Sequence, residues 1–391
     1  MIIPPVPPLA GLRVLDLTRY IAGPLAGQML ADAGAEVIKV EPPGGEVSRH
    51  EPPQVRISDD HTTGLLFLRF NRGKKSVEID TRSDEGHAQF VRLIESADVL
   101  LENFKPGMLE SWGLGWEQLH AINPRLVYAS ISGFGYRDSP MRDTPTFNTI
   151  AESMAGLVSR LPDGDQPPQS FYPVAMGDGV SGVFAVIGIL QAIIQRDRTG
   201  EGAWLDLAMY DALLAFNDVV VANASVLSGT GEPPPRHVSA PAGYFRARDG
   251  WISMIVGTDR QWRVLCELVG WTDWLEDGRY DDRKARIADD GTVIRPRLDG
   301  WLRVRTPREA VGELAAVGIP ASPFQTGDDI IEDPQAASRG MLRRYPALDG
   351  DVVFVGSPFG VRGTADGTAA DFAASGQHSA QYLDPQEGDL P

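Results

Sequence analysis

The first half of the chain alternates short, almost wholly apolar runs with segments whose apolar residues recur at helical spacing. The runs at 13–17 and 36–40 predict buried strands, and the segment 24–33 between them predicts a helix with Pro24 in its first turn and Gly34 at its end. A strand, a helix and a second strand in this order form the unit of a parallel sheet. The alternation continues through KKSVEID, DEGHAQFVRLIESA, DVLLENF, WEQLHAIN and LVYASISGFG. We therefore expect an α/β domain with an open, Rossmann-like parallel sheet and helices on both faces.

The second half of the chain has a different pattern. The segment VSGVFAVIGILQAIIQR, which follows Asp178, is apolar on nearly every face and predicts a buried helix. Gly and Pro are concentrated at 228–243, which indicates a linker, and beyond it GYFRARDGWISMIVG predicts a hairpin and DRQWRVLCELVGW a helix. We expect a large α/β domain over 1–227, a smaller α+β domain over 244–325, and a C-terminal segment over 326–391, whose tail from about Gln335 contains no obvious core helix.

Composition narrows the classes of function. The chain has 36 basic and 53 acidic residues, and its net charge of −17 disfavours nucleic-acid binding. Cys266 is the single cysteine and the six histidines are scattered, so we expect no metal site and a reducing, cytoplasmic location. No apolar run approaches the roughly 20 residues of a transmembrane helix. The N-terminal stretch MIIPPVPPLAGL lacks the basic residues of a signal peptide, so we expect no membrane partner.

Familiar nucleotide and hydrolase motifs do not match this chain. The loop 22–27 lacks the Gly-x-Gly-x-x-Gly pattern, and Pro24 removes an N–H that a pyrophosphate needs, although Glu41 ends the second strand where a ribose-binding acid would stand. The stretch RGKKS at 72–76 lacks the upstream glycine of a P-loop. No Gly-x-Ser-x-Gly sequence is present, which leaves a hydrolase serine unsupported.

Two polar clusters remain as candidate binding sites in the first half. Asn71, Arg72, Lys74 and Lys75 form a basic spot on an acidic chain, which is either a solvated turn or an anion site. The segment ENFKPG at 102–107 follows a buried strand. In α/β sheets, ligands gather at the carboxyl ends of the strands, so this segment is a candidate ligand contact.

A third candidate is Asp178, which stands between Gly177 and Gly179 at the start of the apolar helix. An aspartate at this position is often the N-cap of its helix. Two flanking glycines have a second use, because they let a substrate approach the carboxylate closely. N–H groups at a helix start can also hold a developing oxyanion. Both interpretations stay open on these residues alone.

Five segments resemble, in order, the motifs of the class III coenzyme A transferases, a group that includes formyl-CoA and carnitine CoA transferases and α-methylacyl-CoA racemases. They are LAGLRVLDLTRYIAGPLAGQMLADAGAEVIKVEPP, FLRFNRGKKSVEID, ADVLLENFKPGMLESWGLGWEQL, GDGVSGVFAVIGILQAI and GIPASPFQTGDDIIEDPQAASRGML. The resemblance implies two ring-like subunits interlocked as a homodimer, with the C-terminal segment returning to the large domain. It also implies an acyl-CoA and a carboxylic acid as substrates, and no cofactor beyond CoA itself.

The resemblance also assigns roles to residues. Asp178 matches the catalytic aspartate, whose carboxylate attacks the acyl-CoA thioester to give an aspartyl anhydride and then an enzyme–CoA thioester. The positions that match CoA contacts are Asn71, Arg72, Lys74, Asn103, Phe104, Tyr20, Ile21 and Arg49. The positions expected around the substrate are Phe147, Asn148, Gly177 and Gly179.

Departures from the family pattern decide between activities. Phe147 stands where the racemases carry a histidine, so a CoA transferase is favoured, and a racemase or epimerase is the alternative. Asn148 replaces an acid found in many members, and Ile21 replaces the glutamine of the formyl-type enzymes, which argues against formate or oxalate. The segment PPPRHVSAPAGYF lacks the glycine run that covers the active site in those enzymes. A third hypothesis is a non-catalytic CoA-binding protein in which Asp178 only caps its helix.

Overall fold

The computed structural model describes residues 6–158, 173–230, 239–359 and 371–383. The chain divides into two compact units, one formed by Met1–Ala222 with Ser338–Pro391 and the other by Asn223–Ala337. The predicted linker at 228–243 falls inside the second unit, and its residues 231–238 lie outside the described ranges, together with the first part of the segment PPPRHVSAPAGYF.

Strands and helices alternate through the first unit, as the sequence pattern predicts. In chain order they are β1 (Arg13–Asp16), α1 (Ala22–Asp32), β2 (Glu36–Glu41), β3 (Gln54–Ser58), β4 (His61–Gly64), α2 (Leu65–Phe70), β5 (Lys75–Glu78), α3 (Asp84–Glu95), β6 (Val99–Glu102), α4 (Met108–Ser111), α5 (Trp116–Ile122), β7 (Val127–Ser132), α6 (Asn148–Met154), α7 (Met176–Thr199), β8 (Ala203–Ala208), α8 (Met209–Phe216) and α9 (Asp218–Leu227), the last of which runs on into the second unit.

Six strands form one parallel sheet in the order β5-β2-β1-β6-β7-β8. The chain builds outward from β1 in one direction through β2 and β5, and then in the other through β6, β7 and β8. The strand order therefore reverses between β1 and β6, where the loops that leave the two strands diverge. Open α/β sheets bind ligands at such a switch point. The predicted open parallel sheet is confirmed.

Helices cover both faces of this sheet because successive strand residues point to opposite sides. Val14 lies in a core cluster with Ile189 of α7, and its neighbour Leu15 lies in a second cluster with Phe90 of α3. Helices α1 and α7 pack closely, since a Cβ at Gly182 would stand 2.7 Å from the carbonyl oxygen of Ala22. This packing brings the starts of the two helices together.

Helix α7 differs from the prediction of a helix buried on every face. Val183, Ile187 and Ile194 are 41%, 44% and 52% exposed, because the sheet and the helices α1, α6 and α8 leave part of the helix surface uncovered. The expectation that no segment matches a transmembrane helix is also corrected. By length and composition α7 alone, or α8 and α9 as one bent pair, would suffice to cross a membrane. This is weak evidence for a membrane span, because core helices of soluble proteins often have the same length and composition.

The second unit has its own sheet and core. Its strands and helices are β9 (Ala242–Arg246), β10 (Trp251–Ile255), α10 (Asp259–Val269), α11 (Thr272–Glu276), α12 (Arg283–Asp289), α13 (Arg295–Leu302), α14 (Pro307–Ala316), β11 (Ala321–Pro323), α15 (Gly327–Ile331) and α16 (Pro334–Ser338). The strands pair antiparallel in the order β11-β10-β9. Trp262 stacks on Trp274 at 6.0 Å in the core. The predicted hairpin and the helix after it are confirmed.

The C-terminal segment adds a hairpin and a short helix to the first unit: β12 (Leu342–Tyr345), β13 (Val352–Val355) and α17 (Ser379–Leu383). Leu383 is buried in the core cluster that contains Leu15, and the Tyr382 hydroxyl donates to Glu36 Oε1 at 2.6 Å. The expectation of a segment without a core helix is therefore corrected. A five-residue helix with one buried leucine is too short to produce a periodic pattern.

Candidate active site

A cavity of about 310 Å³ opens at the switch point, where the loops after β1 and β6 part. Phe104 and Trp112 form an aromatic wall, with their ring centroids 5.5 Å apart. The guanidinium of Arg19 lies over the Phe104 ring at 4.9 Å from its centroid. Arg82 lines the opposite rim beside Asp80. The cavity thus offers an aromatic face and two arginines to a ligand.

Asn103 joins the two loops that frame this cavity. Its Oδ1 accepts from the Arg19 N–H at 2.8 Å, and its Nδ2 donates to the Arg19 carbonyl at 2.9 Å. The side-chain amide of Asn103 therefore hydrogen-bonds both backbone groups of Arg19, as a neighbouring strand would. Of the two predicted CoA contacts in this segment, Phe104 lines the cavity directly, and Asn103 fixes the loop that carries Arg19.

Glu102 anchors the loop that follows β6, a role that the sequence alone did not indicate. Its fully buried carboxylate accepts from the Tyr128 hydroxyl at 3.0 Å, the Tyr136 hydroxyl at 2.8 Å and the Phe104 N–H at 2.6 Å. Burial raises the pKa of Glu102 to about 7, although these hydrogen bonds favour the ionised form. The start of the ENFKPG segment is therefore anchored to the sheet through a buried acid.

The predicted basic spot lies in the interior of the unit. Lys74 Nζ donates to Asp16 Oδ2 at 2.7 Å and to Asn71 Oδ1 at 2.9 Å. Arg72 forms an ion pair with Asp32 at the end of α1. All three predicted side chains are buried and occupied by these contacts, and they do not line the switch-point cavity. Their contact with CoA phosphates stays a prediction.

Arg49 is held in the same way. Its Nε and Nη2 donate to the two oxygens of Glu41, each at 2.7 Å, and its guanidinium stacks 3.7 Å from the centroid of Phe67. Glu41 itself lines the cavity, so the pair lies behind its wall. The predicted CoA contact of Arg49 stays a prediction.

Asp178 is the third residue of α7, not its N-cap. The N-cap is Ala175, which makes no side-chain cap hydrogen bond. Side chains of α6 hold the first turn instead. Glu152 Oε1 accepts from the N–H groups of Met176 and Gly177 at 3.1 and 3.4 Å. Asn148 Oδ1 accepts from the N–H of Asp178 at 3.2 Å.

These contacts correct the expectation that N–H groups at the start of α7 hold an oxyanion, since α6 occupies those of Met176, Gly177 and Asp178. A backbone donor to the carboxylate comes from α1. The N–H of Ala22, the first residue of α1, hydrogen-bonds the Asp178 carboxylate. The positive end of that helix therefore points at the carboxylate.

The Asp178 carboxylate titrates near neutrality. Burial, and to a smaller extent the negative charge of Glu152, raises its pKa to about 6 against the opposing effect of the Ala22 N–H. The side chain is only partly exposed, and Glu152 is fully buried. At pH 7 Asp178 is ionised in most molecules, although its surroundings disfavour the charge.

The two flanking glycines serve different purposes. A Cβ at Gly177 would stand 2.9 Å from Asn148 Oδ1 and 3.1 Å from Met209 Sδ, so packing within the chain requires this glycine. A Cβ at Gly179 would meet no atom of the described residues within 4 Å. Of the two positions expected to admit a substrate, Gly179 opens space beside Asp178, whereas Gly177 lets α6 and α8 approach.

The loop from Arg19 to Ala22 connects the cavity to Asp178. Arg19 lines the cavity and Ala22 bonds the carboxylate, so four consecutive residues link the two places. Between them, Tyr20 adopts a left-handed φ of 65° and is 42% exposed, and Ile21 is the N-cap of α1. A non-glycine residue in this conformation is typical of functional loops.

The predicted substrate positions Phe147 and Asn148 lie at the start of α6, Phe147 being 69% exposed. Sequence reasoning missed Glu152, for which the signal was its spacing of four residues from Asn148 on one helix face. Within the described ranges, no group of three or more His, Cys, Asp or Glu side chains is placed to hold a metal ion.

Comparison with known proteins agrees with the resemblance drawn from the motifs. The sequence profile of the CoA-transferase family III matches residues 9–379. The succinyl-CoA:mesaconate CoA-transferase of Haloarcula hispanica is 36% identical over 386 residues, with 96% of each chain covered. The succinate–glutarate CoA-transferase of Agrobacterium fabrum is 35% identical, covering 96% of this chain and 95% of that protein.

A solved structure supports the same relationship. The crystal structure of a CaiB/BaiF family protein from Brucella suis superposes with a TM-score of 0.84 at 33% identity, covering 96% of this chain and 98% of that one. The family profile and these relatives span nearly the whole chain. The protein described here therefore belongs to the CoA-transferase family III and is an enzyme of that class.

Proposed function

We propose that the enzyme moves CoA from an acyl-CoA to a carboxylic acid, with Asp178 as the covalent nucleophile. One observation carries the assignment of the nucleophile. Asp178 is a partly exposed carboxylate with open space at Gly179, and it is held beside a buried acid with an N–H donor from α1. Its pKa of about 6 leaves it ionised at neutral pH, as a nucleophile requires.

The reaction proceeds in two matched halves. A carboxylate oxygen of Asp178 attacks the thioester carbon of the donor, and the C–S bond breaks. CoA thiolate is expelled, and an aspartyl anhydride is formed. The thiolate then attacks the Asp178 carbonyl carbon, and the donor departs as a carboxylate, leaving CoA as a thioester on Asp178. The acceptor carboxylate reverses these steps. Each half-reaction breaks one thioester and forms another, so the proposed reaction needs no cofactor beyond CoA.

The switch-point cavity supports a place for the nucleotide end of CoA. The adenine would pack on Phe104, with Arg19 and Arg82 available to the phosphates. The pantetheine arm would follow the Arg19–Ala22 loop past Tyr20 and Ile21 to Asp178. There the Ala22 N–H is the donor placed to stabilise the tetrahedral oxyanion.

The relatives point to the class of acid. Their names give succinyl-CoA with mesaconate, and succinate with glutarate, as substrates of those enzymes. We therefore propose succinyl-CoA as donor and a dicarboxylic acid as acceptor for this enzyme. Ile21 and Phe147 are candidates for an apolar pocket around the acid, together with Met209.

We also propose that the working enzyme is an interlocked homodimer in the cytoplasm. The uncovered side of α7 supports the dimer, because a second copy would remove Val183, Ile187 and Ile194 from water. The single cysteine agrees with a reducing compartment. Light scattering should give twice the chain mass of 42.4 kDa, and a monomer at micromolar concentration would contradict the dimer.

Trapping the covalent intermediate tests the function. The enzyme is incubated with a panel of acyl-CoAs, quenched with borohydride or hydroxylamine, and mapped by mass spectrometry. We expect a modified Asp178 with succinyl-CoA, and neither adduct nor transfer in Asp178→Ala. Deuterium exchange at the α-carbon without CoA transfer would instead support a racemase. CoA binding without turnover on any acid would support a non-catalytic binding protein.

A further inference from the structure

Glu152 is buried at the active site without a counter-ion among the described residues. Its side chain has no exposed surface. Oε1 holds the N–H groups of Met176 and Gly177, whereas Oε2 has no hydrogen-bond partner in the described part of the chain. An unsatisfied buried carboxylate oxygen is costly, so its presence calls for an explanation.

Holding the first turn of α7 does not require a charge. A glutamine would offer a carbonyl oxygen of the same reach to the same two N–H groups. The second oxygen of a glutamate adds only an uncompensated negative charge. This charge is the feature of Glu152 that capping leaves unexplained.

The charge acts on Asp178. Helix α7 packs against α1, α6, α8, β7 and β8. The charged and titratable groups on these elements are Glu152 on α6, Asp32 on α1, Tyr210 and Asp211 on α8, Tyr128 on β7 and Asp206 on β8. Among these groups, Glu152 is the one whose charge disfavours the Asp178 carboxylate.

We propose that Glu152 is a positioning residue that acts through Asp178. One oxygen fixes the first turn of α7, and the negative charge destabilises the free Asp178 carboxylate relative to the acylated one. The inference rests on the proposed function. In the first half-reaction Asp178 loses its charge when the anhydride forms, and that charge finally leaves with the donor carboxylate, so Glu152 does not repel Asp178 in the thioester. Glu152 thus favours loading of the enzyme with CoA.

Replacing Glu152 by glutamine removes the charge and keeps the acceptor for Met176 and Gly177. We expect Glu152→Gln to lower the ratio of CoA-loaded to free enzyme about tenfold at a fixed ratio of succinyl-CoA to succinate, the equivalent of one pKa unit. The acid limb of the kcat profile should move about one pH unit lower, while KM for succinyl-CoA stays within about twofold. The matched control is Glu117→Gln, which removes an exposed first-turn acid of α5 and should behave as the wild type.

A second variant covers the case in which Glu152→Gln fails to fold. Asn148→Asp adds a negative charge at the same turn, where the Asn148 oxygen now accepts from the Asp178 N–H. It should move the acid limb of kcat to higher pH. The inference is overturned if the wild-type enzyme carries the adduct on Asp178 and the acid limb of the kcat profile lies at the same pH in both variants as in the wild type. The absence of any wild-type adduct would overturn the proposed function first, and the inference with it.

Discussion

Two carboxylates, the buried Asp16 and the partly exposed Asp178, lie near the two ends of the loop that precedes α1, and their surroundings are opposite. Asp16 ends β1, with Lys74 Nζ at 2.7 Å and Lys39 Nζ at 3.6 Å. Burial disfavours its charge, but the two lysines outweigh burial and hold the pKa of Asp16 below its usual value. Asp178 has an acid, Glu152, as its charged neighbour, and its pKa is raised to about 6.

The difference separates a structural carboxylate from a reactive one. A fold that buries a charge normally provides a partner, because an unpaired ion in the interior is strongly destabilising. At Asp16 the partners are present, and the carboxylate has no capacity left for chemistry. At Asp178 the cation is replaced by a second acid, an arrangement that persists at functional sites because the strain assists the reaction. The following predictions test each side of this comparison.

The largest effect should come from removing the partner of Asp16. Lys74→Met leaves the buried carboxylate with the more distant Lys39 as its neighbouring cation and with its hydrogen bonds from Thr18, and removal of one member of a buried ion pair costs about 3–5 kcal/mol. We expect unfolding free energy to fall by about 3 kcal/mol, since Lys39 retains part of the interaction. Urea denaturation followed by circular dichroism measures this change.

Lys75→Met is the matched control for that experiment. Lys75 is the next residue and its side chain is only partly buried, so its replacement should change the unfolding free energy by less than about 0.5 kcal/mol. Equal effects of the two substitutions would show that the network around Asp16 contributes no special stability. Asp16 could then no longer serve as the example of a carboxylate that neighbouring lysines stabilise.

The contrast also shows where sequence reasoning succeeds. The β-α-β units, the hairpin at β9 and β10 and the helix α10 follow from local periodicity, which neighbouring residues alone determine. Asp178 stood out because glycines flank it at the start of an apolar helix. Phe104 stood out because its segment follows a buried strand, and the structure places it in the cavity wall.

What could not be predicted depends on contacts between distant positions. Lys74 resembled a surface lysine because its partner Asp16 lies 58 positions away and only the sheet order brings them together. The exposed side of α7 was missed because apolarity in sequence does not report what covers a helix. Glu152 shares a helix face with Asn148, but its role arises from how α6 packs on the first turn of α7, which this spacing alone does not reveal.

The next effect is a separation of activity from folding in acid. Asp178, with a pKa of about 6, takes up a proton between about pH 7 and about pH 5, and the rate should fall about tenfold per pH unit below 6. Asp16, whose pKa is lowered, stays ionised over this range, so its network remains intact. We expect kcat/KM to fall while circular dichroism is constant. A loss of activity that follows unfolding would remove the proposed distinction.

The smallest effect concerns stability at the active site itself. The folded pKa of Asp178 is raised, so its contribution to stability is fully present below the unfolded pKa, near 3.8, and is lost as pH rises through about 6. Asp178→Asn removes the charge and should leave Tm unchanged at pH 4. At pH 8 we expect a gain of about 2–4 °C, the shift that 1 kcal/mol produces in a domain of 150–250 residues.

The sign of this pH dependence is the critical result. The partial exposure of Asp178 lets solvent screen part of the charge, which limits the gain to about 1 kcal/mol. Glu117→Gln, which removes an exposed acid, should show no change in Tm between pH 4 and pH 8 relative to wild type. A Tm for Asp178→Asn that falls below wild type as pH rises would mean that the ionised carboxylate is stabilised in the fold. Asp178 would then resemble Asp16, and the case for a strained nucleophile would fail.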